Sequence, residues 1–167
     1  QKILETILTQ PNEKIAQISL LTEAEKRQLK IWNDTNVPYP KDKTIVDLFE
    51  EQVIKTPDNI ALVFEDKQLT YQQLNEESNK VAHYLRETYA IQPDDIIALQ
   101  LERSEWMIIA ILGVMKAGAA YLPIAPDFPK IRVEYLLKDS RAKALLTDKG
   151  TYETIQLYQL NTPIAVV

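Results

Sequence analysis

Few side chains in this chain of 167 residues could do chemistry, and they stand apart. His83 is the only histidine and there is no cysteine. A Ser-His-Asp triad, a thiolate nucleophile and a His/Cys metal cluster therefore have almost nothing to build on. His83 falls on the exposed side of an expected helix and reads as a surface residue. Ser104 precedes an apolar run and reads as a helix cap, since no base is available to activate it. Lys116 sits at a helix end, where its charge suits the helix dipole. Asp94 and Asp95 suggest a metal pair, but after Pro93 they read as a turn and a strand start. Gly113, Gly118 and Gly150 are the only glycines, and no two are close enough to cradle a phosphate. No residue is assigned a catalytic, cofactor-binding or metal-binding role.

Composition narrows the class. The net charge is -5, with Lys and Arg scattered among Asp and Glu, so the basic footprint that nucleic acid requires is missing. The apolar stretch 106–115 is too short to span a bilayer, and Lys116 closes it. The N-terminal QKILETILTQ lacks a basic region leading into an apolar core, so it is not a secretory signal, and a cytoplasmic protein is expected.

The elements follow from spacing. Leu4, Ile7 and Leu8 make a short helical stripe that Pro11 breaks, and Ile15, Ile18, Leu20 and Leu21 lie on an irregular segment. Thr22 and Glu25 form a capping box opening a helix to about Trp32, with Leu29 and Trp32 inward. VPYP at 37–40 cannot continue it, so residues 1–40 read as an interdomain linker that needs another surface. From residue 41 a domain core begins. A helix carries Ile45, Leu48, Phe49 and Val53, and a hairpin is expected over 60–64 and 67–70. Thr70 and Gln73 form a second capping box, opening a helix with Leu74, Val81, Ala82 and Leu85 on one face. Strands are expected at 95–101, 119–124, 143–147 and 164–167, with helices from Ser104, Pro129 and Tyr152 between them. Gly118 fits a helix C-terminal cap, and Pro123 puts its strand near an edge. Repeated strand–helix–strand units give an α/β fold: a mostly parallel sheet with helices on both faces. The last strand runs to the final residue, so the fold is expected to be incomplete, with an unpaired edge.

Two motifs carry a family resemblance. LTYQQLN at 69–75 includes Leu69, Thr70, Tyr71 and Leu74, and MKAGAAYLPIAP at 115–126 includes Lys116, Ala117, Gly118, Tyr121 and Pro123. With LFEEQVIKTPDNIAL, LERSEWMIIAILGVMKAG and PKIRVEYLLKDSRAKALLT around them, residues 20–150 resemble the start of an amino-acid adenylation domain of nonribosomal peptide synthetases, within the adenylate-forming enzymes. The segment 18–40 resembles the linker from a condensation domain to the adenylation domain that follows. Gln73 stands where the family usually has an acidic residue and can still close a capping box. Ala125 stands where the family usually has Asp, so the turn there must be held differently.

The resemblance implies a fragment of an enzyme that uses Mg-ATP to make an aminoacyl adenylate and passes the acyl group to a phosphopantetheine carrier. It implies as partners the remainder of the adenylation domain, a condensation domain upstream and a carrier domain downstream. The phosphate loop, the acidic residues for ribose and metal, the amino-acid pocket and the mobile lysine lie later in the family's order. The nine motif residues are therefore structural, and the chain alone is expected to be inactive. Two other readings stand beside this one. Residues 1–40 could make it a non-catalytic docking module, or it could be a fragment of an acyl-CoA ligase.

Overall fold

The computed structural model describes residues 2–9, 11–12, 14, 21–158 and 160–167. It divides into two compact units, residues 1–41 and 42–167.

The first unit holds α1 (Lys2–Thr9) and α2 (Glu23–Trp32). The Thr22–Glu25 box forms: Thr22 N–H donates to Glu25 Oε2 at 2.7 Å, and Glu25 N–H donates to Thr22 Oγ1 at 3.2 Å. The expected inward pointing of Leu29 and Trp32 is corrected, because Trp32 is 66% exposed and Leu29 is also exposed. The spacing that makes a stripe does not supply an element to cover it. Leu4, Ile7 and Leu8 of α1 are exposed as well. The expectations for Ile15, Ile18 and Leu20 lie outside the described residues.

The second unit begins with α3 (Ile45–Lys55), the antiparallel hairpin of β1 (Ile60–Phe64) and β2 (Lys67–Thr70), and α4 (Tyr71–Tyr89). Then come β3 (Ile96–Gln100), α5 (Glu105–Lys116), β4 (Ala120–Pro123), α6 (Lys130–Ser140), β5 (Ala144–Thr147), α7 (Lys149–Ile155) and β6 (Ile164–Val166). β3 to β6 form one parallel sheet in the order β4-β3-β5-β6. Pro123 lies on an edge strand, as its missing N–H requires.

Alternation along the strands makes two cores. Ile97, Leu99, Ala144, Leu146 and Ala165 face α4 and α5. Ala98, Leu145 and Ile164 face the other way, toward Val133 and Leu137 of α6 and Ile155 of α7. Helices therefore cover both faces, and the near-continuous burial of β3 and β5 follows from that.

One boundary differs from expectation. The helix expected from Tyr152 to Leu160 begins at Lys149 and gives way to a 3-10 turn at Gln156–Tyr158. Asp148 sets the start, accepting from Thr151 N–H at 2.8 Å.

Candidate functional site

The two motifs meet on the α4/α5 side of the sheet. LTYQQLN spans the end of the hairpin and the start of α4. Thr70 N–H donates to Gln73 Oε1 at 2.9 Å, and Gln73 N–H donates to Thr70 Oγ1 at 3.2 Å, so glutamine closes the box. The next two amides anchor the helix to the chain before β1: Tyr71 N–H donates to Asn59 O and Gln72 N–H to Pro57 O, both at 3.0 Å. Leu69 packs against the core, Leu74 is buried in it, and the Tyr71 ring stands 6.1 Å from that of Phe49.

The second motif ends α5 and starts β4. α5 lies so close to α4 that a Cβ at Gly113 would stand 2.6 Å from Val81 Cβ and Cγ1. The chain then reverses within three residues. Ala117 N–H donates to Gly113 O (2.9 Å), Gly118 N–H to Met115 O (3.0 Å) and Ala119 N–H to Val114 O (3.1 Å). Gly118 makes this turn at φ +89°, which side chains rarely adopt. Arg86 of α4 donates to the carbonyls of Lys116 and Ala117, meeting acceptors that the helix end leaves unpaired. Tyr121 is exposed on β4.

Lys116 corrects the simple picture of a charge at a helix end. Its side chain is buried, and its Nζ donates to Asn75 Oδ1 and, at 2.7 Å, to Asn79 Oδ1 of α4. It also pairs with Glu50 of α3 at 3.3 Å and lies 5.4 Å from the Phe49 ring centre. Burial lowers its pKa, and Glu50 recovers part of that loss. The ammonium thus ties three helices together. Asn75 and Asn79 were missed in the sequence, although their spacing of four residues puts both on one helix face.

The turn at Ala125 is held by another residue that sequence reasoning missed. Gln100, buried at the end of β3, donates through Nε2 to Ala125 O at 3.2 Å, with Pro126 O at 3.5 Å. Its Oε1 is buried without a partner among the described residues. Phe128 N–H also donates to Ala125 O, at 3.1 Å. Backbone carbonyls thus meet the need that the side chain of Ala125 cannot.

Open α/β sheets bind ligands outside the carboxyl ends of their strands, where the strand order reverses. Here that place lies between β3 and β5, two hydrogen bonds of the chain's own cross it, and a cavity of about 250 Å³ beside them is lined by Glu102, Pro126, Gly150 and Thr151. Asp148 Oδ2 accepts from Glu102 N–H at 2.8 Å, and Thr147 Oγ1 donates to Gln100 O at 2.8 Å. Burial opposes the Asp148 charge, but hydrogen bonds from Thr151 and Glu102 outweigh it and hold the pKa below the usual value. Ser104 occupies the cap position of α5 without a side-chain cap bond; its Oγ donates to Glu102 O at 3.4 Å. His83 is exposed. Asp95 turns its carboxylate to Gln92 N–H and Lys143, and Asp94 takes a positive-φ turn position. Among the described residues no group of three His, Cys, Asp or Glu stands together to hold a metal ion. The arrangement fixes helices and a strand; it brings together no nucleophile and base.

Comparison with known proteins agrees with this geometry. Residues 49–165 match the family model of the AMP-binding enzyme family. Bacitracin synthase 1 of Bacillus licheniformis is 44% identical over 166 residues, covering 96% of this chain and 3% of that protein. The crystal structure of the nonribosomal peptide synthetase FmoA3 superposes with a TM-score of 0.72 at 28% identity, over 87% of this chain and 15% of that one. The N-terminal subdomain of Klebsiella oxytoca NpsA, solved with 3-hydroxyanthranilyl-AMSN, gives a TM-score of 0.62 at 28% identity, over 73% of this chain and 29% of that one. The chain thus spans a small part of the proteins it matches. It belongs to the AMP-binding enzyme family, with the fold of the N-terminal subdomain of a nonribosomal peptide synthetase adenylation domain.

Proposed function

We propose that this chain is the structural front portion of an amino-acid-activating adenylation domain in nonribosomal peptide biosynthesis. The observation that carries this is the joining of both motifs in one packed unit of the matched fold, through the bond from Lys116 of the second motif to Asn75 of the first. Its residues build a base on which the rest of the domain assembles the site for the amino acid and for Mg-ATP. No step of adenylate formation is assigned to this chain's own residues: at the carboxyl ends of the strands the Asp148 carboxylate is taken up by Glu102 N–H and Thr151.

The same reading takes residues 1–40 as the linker from a condensation domain and 41–167 as the first part of the adenylation domain. It places a carrier domain with its phosphopantetheine arm downstream. The exposed Leu4, Leu8 and Trp32 of the first unit favour a docking role for that linker. Among the described residues no helix is long and apolar enough to cross a membrane, and a cytoplasmic location is part of the proposal.

The test is a chimera in which this chain replaces the segment of bacitracin synthase 1 that it matches. Amino-acid-dependent ATP–pyrophosphate exchange is expected from the chimera and not from the isolated chain. A folded chimera without exchange would sink the proposal.

A further inference from the structure

The two ends of α3 are held by different means. At the C-terminal end the chain is anchored to α4. Thr56 leaves the helix at φ -143° and ψ 62°, and two carbonyls just beyond it are taken: Pro57 O accepts from Gln72 N–H and Asn59 O from Tyr71 N–H, each at 3.0 Å. At the N-terminal end the polar bonds are local. Thr44 N–H donates to Asp47 Oδ2 at 2.7 Å, Asp47 N–H donates to Thr44 Oγ1 at 3.1 Å, and Lys43 pairs with Glu51. These bonds travel with the helix. A cavity of about 430 Å³ lies between this turn and the second motif, lined by Ile45 and Val46 on one side and by Met115, Lys116 and Ala119 on the other.

Between its ends α3 touches the core lightly. None of its residues is fully buried, and Phe49 is the one α3 side chain packed against the core of α4, α5 and the sheet. Among the described residues, the polar contact of α3 with another element is Glu50 to Lys116, at 3.3 Å. Phe49 meets the same ammonium, 5.4 Å from its ring centre, so both contacts converge on one residue. Lys116 does not need Glu50 to stay satisfied, because Asn75 and Asn79 of α4 accept from it. Glu50 is half exposed, so water replaces it readily.

We propose that α3 is a hinged lever, fixed at Thr56–Pro57 and latched by Glu50 and Phe49 at Lys116, that leaves the core while α4, α5 and the sheet stay folded. The latch closes on a residue of the second motif, so the lever is a control point for that motif. A partner that draws the chain before Thr44 away from the core raises the open population. The inference goes beyond the proposed function and stands without it.

Amide hydrogen exchange of the 167-residue chain, read residue by residue under native conditions, tests it. Once detached, an 11-residue helix is marginal in water, so opening of the lever exposes its amides. Val53 and Ile54 should exchange at least about 100-fold faster than Leu85 of α4 and Val114 of α5, with Tyr71 and Gln72 at the hinge at least about tenfold slower than Val53. Two substitutions separate lever opening from global unfolding. Glu50→Gln weakens the closed state against both, so it should speed Val53 and Leu85 alike, about fivefold. Ile97→Val, in the buried centre of β3, weakens the closed and lever-open states equally; it should speed Leu85 about fivefold and leave Val53 unchanged. Equal rates for α3 and the core in the parent would overturn the proposal. So would an Ile97→Val effect of the same size on Val53, since α3 would then open only with the whole fold. Loss of protection at Tyr71 and Gln72 together with α3 would remove the hinge, and an unchanged Val53 in Glu50→Gln would remove the latch; either result overturns the lever.

Discussion

The two faces of the sheet are packed by different means. On the first, α4 and α5 approach until only glycine fits at position 113, and Lys116 and Arg86 tie them across the contact. On the second, the polar bonds are mostly local. Ser140 Oγ donates to Leu136 O of its own helix at 2.7 Å, and Asp148 caps its own helix before reaching Glu102. The outer side of α6 leaves Ile131 80% exposed and Tyr135 exposed beside it. The motif residues cluster on the first face and on β4. What makes this chain recognisable is therefore close packing, and no reactive group is among those residues.

Substitutions can break this contrast, and the largest effect belongs at the closest contact. Gly113→Ala should cost about 3 kcal/mol, because Val81 and the α4 backbone must move. Chemical denaturation that found less than about 1 kcal/mol would show that the two helices yield easily. Lys116→Met should cost about 2 kcal/mol, since Asn75 and Asn79 lose a charged donor. A neutral result would mean that desolvating the ammonium cancels those bonds.

The second face should respond less. Asp148→Ala should cost about 1 kcal/mol at neutral pH. The folded carboxylate has a pKa below its ordinary 3.8, so its contribution is complete above that value and is lost as pH falls through the folded pKa. Parent and variant should converge in acid; a gap independent of pH would assign the effect to packing. Ile131→Ser should change stability by no more than about 0.5 kcal/mol. A larger loss in the isolated chain would show that the outer side of α6 is not free.

Local signals in the sequence are sound at several places, although Ser104 takes the cap position of α5 without a side-chain cap bond and α7 starts at Lys149 and not Tyr152. The strands, the Thr22 and Thr70 boxes, the turn at Gly118 and the edge at Pro123 all rest on neighbours in the chain. Partners distant in the chain were not legible. Lys116 reads as a helix-end charge because Asn75 and Asn79 lie 41 and 37 residues away. Asp148 was passed over because Asp-x-x-Thr does not match the Ser/Thr-x-x-Glu/Gln box, although its oxygen caps equally well. The same limit hid the box of Thr44 and Asp47, where an aspartate serves in place of glutamate. Leu29 and Trp32 were placed inward on periodicity, which gives a direction and not a cover.

Strand order also governs how the chain meets the ribosome. β3, α5 and β4 emerge together, and β3 pairs with β4 across a single helix. β5, which lies on the other side of β3 and contributes Leu145 and Leu146 to opposite cores, arrives only after α6. Until then both cores stand open along one flank of β3, a surface suited to chaperones. A chain stopped at residue 140 should therefore bind more of a hydrophobic dye than the 167-residue chain. Equal binding by both would mean that β5 covers little that α5 and α6 have not already covered.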